Sequence, residues 1–240
     1  MDAVLYNKVE TEADRIIAAC GGASDWFLSK TASVDAIFNF NDENNIPPFP
    51  TIVTLNVPYC YTAVRAFAQV SVSNIWSTGI QEVIFHTEVP CNCMRFICYN
   101  SSIKKVTFPN GITINGSMQE FTYNNSVIES FIGEITFQNV STYLGAFSKA
   151  IALKDITITE NTIKLDIAFG SAVLTNDSLI SIANGLDGTA TGKTLTHHST
   201  AKTNCGTIMG TNDNGTFVAD AQGTLSLADF ITTVKGWTLA

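Results

Sequence analysis

Leu153-Lys154-Asp155-Ile156-Thr157-Ile158 spaces its apolar residues as Φ-x-x-Φ-x-Φ, where Φ is apolar or aromatic. The last two alternate as a strand with one buried face does, and the first falls on the turn leading into it. The spacing recurs at Ile52/Leu55/Val57, Phe67/Val70/Val72, Ile80/Val83/Phe85, Met94/Ile97/Tyr99, Ile103/Val106/Phe108, Met118/Phe121/Tyr123 and Ile132/Ile135/Phe137. Taking every second hit gives coils of about 23 to 35 residues, the period of a solenoid, in which each unit buries its apolar face only against its neighbours. A β-sandwich is the alternative, because so short a pattern also recurs in any chain rich in Val, Ile and Phe.

The composition agrees with a β-rich chain. Hydrophobic residues make up 45% of the 240 and charged ones only 14%, enough apolar material for a core and too little charge for a disordered chain. Asn, Thr and Ser fill the charge deficit, a mix that suits turns and exposed strands better than helical surfaces. Thirteen Lys and Arg against 21 Asp and Glu give a net charge of −8, which argues against nucleic acid and anionic membrane surfaces as partners. No apolar run is long enough to span a bilayer. Met1 to Lys8 lacks the basic segment and apolar run of a secretion signal, so a protein folded in a cytoplasm with its six cysteines reduced is expected.

The two ends read differently from the middle. Ala13, Ile16, Ile17 and Cys20 form a helical stripe, stopped by Gly21-Gly22, and the segment from Asn39 to Pro50 carries three prolines that suit an extended arm. Near the other end, Leu179, Ile182, Ala183 and Leu186 share a helical face after Asn176-Asp177-Ser178. Ser199 to Gly210 reads as a second helix and Thr216 to Leu225 as a short hairpin. A last helix starts at Ser226, with Asp229 three residues on, Lys235 in its final turn and Gly236 as its stop. The expected organisation is therefore mainly β: an N-terminal helix and proline-rich arm over 1–50 serving attachment, a β-solenoid over 51–172 and a small α+β capping module over 173–240.

Two segments carry a resemblance. Leu144-Gly145-Ala146-Phe147 leading into Leu153 to Ile158, and Ser102-Ile103-Lys104-Lys105-Val106-Thr107-Phe108-Pro109, resemble BspA-type leucine-rich repeats, which put an Ala-Phe pair before a Leu-x-x-Ile-x-Ile strand. Asp177 to Leu186, Gly192 to Thr196, Thr207 to Gly210 and the terminal Lys235-Gly236-Trp237-Thr238-Leu239-Ala240 are similar to the C-terminal module of leucine-rich-repeat proteins of tailed phages and prophages of gut bacteria. The resemblance implies a structural component of a virion (fibre, tail, baseplate or decoration), a homo-oligomer expected as a trimer, with other virion proteins as partners and contact with a host-surface glycan or protein. It carries over no catalytic, cofactor-binding or metal residue. The alternative class is a bacterial leucine-rich-repeat adhesin or protein-binding module.

Each candidate chemistry has a plainer reading. Cys91 and Cys93 with Cys98 and Cys60 match no structural-zinc spacing and read as buried thiols. His197 and His198, beside Lys193 and Lys202, would point to opposite faces of a strand, and with His86 they read as polar loop or helix-entry residues. Asp42-Glu43 and Asn212-Asp213-Asn214-Gly215 suggest calcium, but counting from Asn212 puts Gly223 where an EF-hand needs Glu, so a turn is expected. Gly188 to Thr194 has three residues between its glycines where a phosphate loop has four. A carbohydrate-active enzyme with two carboxylates distant in sequence remains a third class.

Overall fold

The computed structural model describes residues 25–29, 51–56, 62–64, 81–95, 103–118, 121–122, 127–143 and 145–240. It is a β-solenoid built from two parallel ladders that merge. The first ladder runs through β1 (Asp25–Ser29), β2 (Ile52–Asn56), β4 (Glu82–His86), β6 (Lys105–Thr107) and the first half of β8 (Ser130–Phe137). The second runs through β3 (Thr62–Val64), β5 (Cys91–Arg95), β7 (Ile112–Ser117) and the second half of β8, with β9 (Asp155–Ile158) following on β8. One hydrogen bond repeats from coil to coil: Gln81 N to Thr51 O, Lys104 N to Gln81 O, Glu129 N to Lys104 O, Lys154 N to Glu129 O and Thr175 N to Lys154 O. These five steps advance 30, 23, 25, 25 and 21 residues, so the solenoid reading holds and the sandwich does not.

The alternation that defines the pattern is also the burial pattern. Val83 and Phe85, Val106 and Phe108, and Ile156 and Ile158 all point into the core. Ile132 departs from the rule. It pairs in register with Thr107 next to the buried Phe131, so alternation turns it outward, 44% exposed, while the register shift against β9 between Ser130 and Glu134 lets Ile135 and Phe137 point inward again. Of Met118/Phe121/Tyr123, Met118 and Phe121 are buried outside any strand, at a corner of the coil, and Tyr123 lies outside the described residues.

Aromatic rings stack along the coil axis. Centroids are 6.3 Å apart for Phe85 and Phe108, 6.5 Å for Phe108 and Phe131, 6.1 Å for Phe131 and Phe147, and 4.7 Å for Phe147 and Phe169. Each ring thus fills the floor of one coil and the roof of the next, which makes neighbouring coils depend on one another.

Both expected boundaries shift. The ladder begins before residue 51, because Asp25–Ser29 pairs in register with β2; the helical stripe ending at Cys20 and the segment from Asn39 to Pro50 lie outside the described residues. At the other end β10 (Ile167–Phe169) belongs with the module, pairing parallel with β11 (Thr194–His197), which pairs with β15 (Thr238–Leu239). The first module helix, α1 (Asn176–Gly185), is capped by Thr175, one residue earlier than Asn176. The second, α2 (Ser199–Thr207), stops short of Gly210 because Met209–Asp213 is a strand, β12. The hairpin is consequently not within 216–225: β13 (Thr216–Ala219) and β14 (Leu225–Ser226) both pair with β12, from opposite sides. The last helix, α3 (Leu227–Asp229), starts at the Ser226 cap as expected and widens into a π-turn over Phe230–Val234. Among the described residues no helix is long and apolar enough to cross a membrane.

The end of the array is sealed by α1. A further parallel strand would take its hydrogen bonds from β9, and α1 supplies substitutes from two serines one helical turn apart. Ser178 Oγ accepts from Ile156 N at 2.9 Å and Ser181 Oγ accepts from Ile158 N at 2.8 Å. A bare strand edge would otherwise pair with another chain. Replacing both serines by Ala leaves two N–H groups unpaired and is expected to cost about 2–4 kcal/mol and to promote aggregation, read by chemical denaturation and light scattering.

Candidate functional site

Three consecutive coils build one groove on the solenoid surface. Its volume is about 280 Å³, and its walls are the loop Thr87 to Pro90, the turn residues Asn110 and Gly111, and Glu134 with Thr136 on β8. Gly111 makes this arrangement possible. Its φ of +71° suits glycine, and a Cβ there would stand 2.9 Å from the Glu134 carbonyl oxygen. The turn can therefore lie directly on the next coil and hold Asn110 over the groove.

The lining is polar and acidic. The Asn110 side-chain amide and His86 Nε2 are hydrogen-bonded at 3.0 Å across the groove. Thr87 Oγ1 donates to Val89 O and accepts from Val89 N, pinning the loop. On the floor Thr136 and Thr113 are register partners, and Thr136 Oγ1 lies 2.6 Å from Thr159 Oγ1 in the next coil. Glu88 and Glu134 are exposed at the rim, and among the described residues no Lys or Arg lines the groove. Such a site offers hydrogen-bond acceptors and negative charge to a ligand. Among the described residues no three His, Cys, Asp or Glu side chains converge as a metal site.

A second polar centre lies inside the module. Lys235, expected in the last turn of the final helix, is 2% exposed. Its Nζ donates to Asn161 Oδ1 at 2.7 Å and to Asn184 O at 3.3 Å, and stands 5.5 Å from the Phe230 ring centroid. Burial lowers its pKa, against the opposing charges of Glu160 and Asp187. The Asp187 carboxyl is held below its usual range: burial works against this, but hydrogen bonds from Thr189 and the charges of Lys164 and Lys235 outweigh it. Asn184 bridges to Phe217, donating to its carbonyl and accepting from its N–H, and Trp237 Nε1 donates to Asp187 O.

The other candidates resolve one by one. Cys91 is a buried thiol on β5, where Cys93 also lies, while Cys60 and Cys98 are outside the described residues. Cys205, buried in α2, has its thiol pushed up to about 11 by burial, which makes it unreactive. Asn212 Oδ1 accepts from Gly215 N in the β12–β13 turn, the turn chemistry expected there. Asp187 Oδ1 accepts from Thr189 N and Oγ1, so Gly188 to Thr194 opens as a polar turn.

The two histidines part, as alternation requires, but His197 is not a loop residue. It lies in β11 opposite Phe169, 6% exposed, its ring 5.9 Å from the Phe169 ring, so it continues the aromatic column. Neither ring nitrogen has a hydrogen-bond partner among the described residues. His198 instead caps α2, accepting from Thr200 N. Burial lowers the His197 pKa from 6.5 to about 4. Its unfolded form thus binds a proton first as pH falls, and stability present above pH 6.5 drains away toward pH 4. Between pH 7 and pH 4.5 the wild type is expected to lose about 2 kcal/mol more than His197→Phe, measured by urea denaturation at both pH values. No family model, no curated protein and no solved structure matches this chain.

Proposed function

We propose that the chain is a non-catalytic structural component of a tailed-phage particle, a short rigid element of a fibre, tail or decoration that contributes to assembly and to contact with the host surface. The observation that carries this reading is the sealed end of the array. The module whose segments resemble the C-terminal part of phage leucine-rich-repeat proteins is the part that closes the solenoid, through α1 on β9 and β15 on β11. A rod closed at one end suits display. Its groove supplies a built surface for a neutral or cationic partner through His86, Asn110, Glu134 and Thr136. The partners are other virion proteins and further copies of this chain, a trimer being the arrangement we favour, with a host-surface glycan or protein as the groove's ligand.

The test is proteomics and immunogold labelling of particles purified from the culture that expresses the gene. Recovery of the chain at fixed stoichiometry with capsid and tail proteins supports the reading, and its absence from intact particles refutes it. In the same particles Glu134→Arg, on an exposed rim, is expected to leave folding within about 0.5 kcal/mol of wild type while reducing adsorption to host cells severalfold. Unchanged adsorption removes the groove from the account.

A further inference from the structure

Lys235 and Asn161 are 74 residues apart in sequence, yet the Lys235 amine lies 2.7 Å from the Asn161 side-chain oxygen. The amide carbon Cγ is one bond beyond that oxygen, so the amine and the amide are direct neighbours. Lys235 is 2% exposed, its amine stands 5.5 Å from the Phe230 ring centroid, and the charges of Glu160 and Asp187 both act on it. Asn161 itself is held at φ +56°, in the left-handed region. A buried amine held against a side-chain amide brings together the two reactants of an acyl transfer that needs no cofactor.

We propose that Lys235 Nζ and Asn161 Cγ join in an intramolecular isopeptide bond, which ties the end of the last helix to the loop that closes the last coil. The neutral amine attacks Cγ, the new C–N bond forms, and the tetrahedral adduct expels the amide nitrogen. The proton shed by the amine passes within the adduct to the amide nitrogen, which leaves as ammonia. No oxidant, reductant or second substrate is needed. Burial favours the reacting species, because it lowers the lysine pKa and so raises the share of neutral amine. The product closes a covalent loop through α1, α2 and the β12 sheet, so the module could not peel from the solenoid under load. This inference is independent of where the protein is used.

Intact-mass measurement of the purified, folded full chain, followed by tryptic mapping, tests it. The expected mass is about 17 Da below that of the sequence, the loss of one ammonia. Because an acylated Lys235 resists trypsin, a branched peptide is expected that joins residues 155–164 to residues 203–240. Lys235→Arg, which keeps the charge, and Asn161→Ala should each restore the full mass and abolish the branched peptide. A folded wild-type chain at full mass overturns the proposal. So does a deficit without the branched peptide, which would mark a succinimide at an Asn-Gly step such as Asn214-Gly215.

Discussion

Gly133→Val is expected to destabilise the solenoid by more than about 4 kcal/mol, beyond the ordinary range for a single substitution. Gly133 sits in the β8 bulge at φ +99°, where a β-branched residue is strongly disfavoured. Space is as limiting as the dihedral. A Cβ there would run into the Phe108 carbonyl oxygen of the preceding coil, well inside van der Waals contact. That coil cannot retreat, because Phe108 N donates to Ile132 O at 2.7 Å and the Phe108 ring is 1% exposed in the aromatic column. Thermal melting by circular dichroism should show a fall of at least about 10 °C or insoluble protein. Ile132→Thr, one residue away but 44% exposed, should stay within about 0.5 kcal/mol of wild type.

Phe147→Ala should cost about 3–5 kcal/mol, the usual range for emptying a buried phenylalanine site. Phe147 is fully buried, and its ring meets Phe121 at 6.0 Å, Phe131 at 6.1 Å and Phe169 at 4.7 Å. It joins the last regular coils to the module, so its loss is expected to uncouple them and broaden the unfolding transition as well as shift it. Urea denaturation followed by tryptophan fluorescence reads both effects, since Trp237 is buried in the module. A sharp transition at the wild-type midpoint would contradict the role given to the column. Ile151→Ala, 57% exposed, is the matching surface control.

The coils were legible because burial in a parallel array follows alternation closely. Val83 with Phe85, Val106 with Phe108 and Ile156 with Ile158 announce their strands by spacing alone. The second strand of a coil was not legible in the same way. β7 begins at Ile112 directly after the Pro109-Asn110-Gly111 turn and lacks the leading apolar residue of the pattern. Conversely, Met118 and Phe121 match the spacing yet fill a corner, since a corner buries apolar side chains as readily as a strand does.

The sites followed a similar rule. Asn214-Gly215 and Asp187-Gly188 are local turn signals, and their hydrogen bonds are local. Lys235 was read as a helix-end charge because its partners, Asn161 and Asn184, are distant in sequence and nothing near it marks burial. His197 escaped for the same reason: its place in the column is set by register with Phe169 across the module's sheet. The groove likewise exists only once three coils are stacked, with Asn110 of one reaching His86 of the coil before.

The measurement that most directly tests the sealed solenoid is amide hydrogen exchange at Ile156 and Ile158, in the wild type and in the Ser178→Ala/Ser181→Ala double variant. Both amides should be as strongly protected in the wild type as those inside β8, and should exchange at least about tenfold faster in the variant while β8 stays protected. Fast exchange of these two amides in the wild type would mean that α1 does not close the array, and would contradict the account.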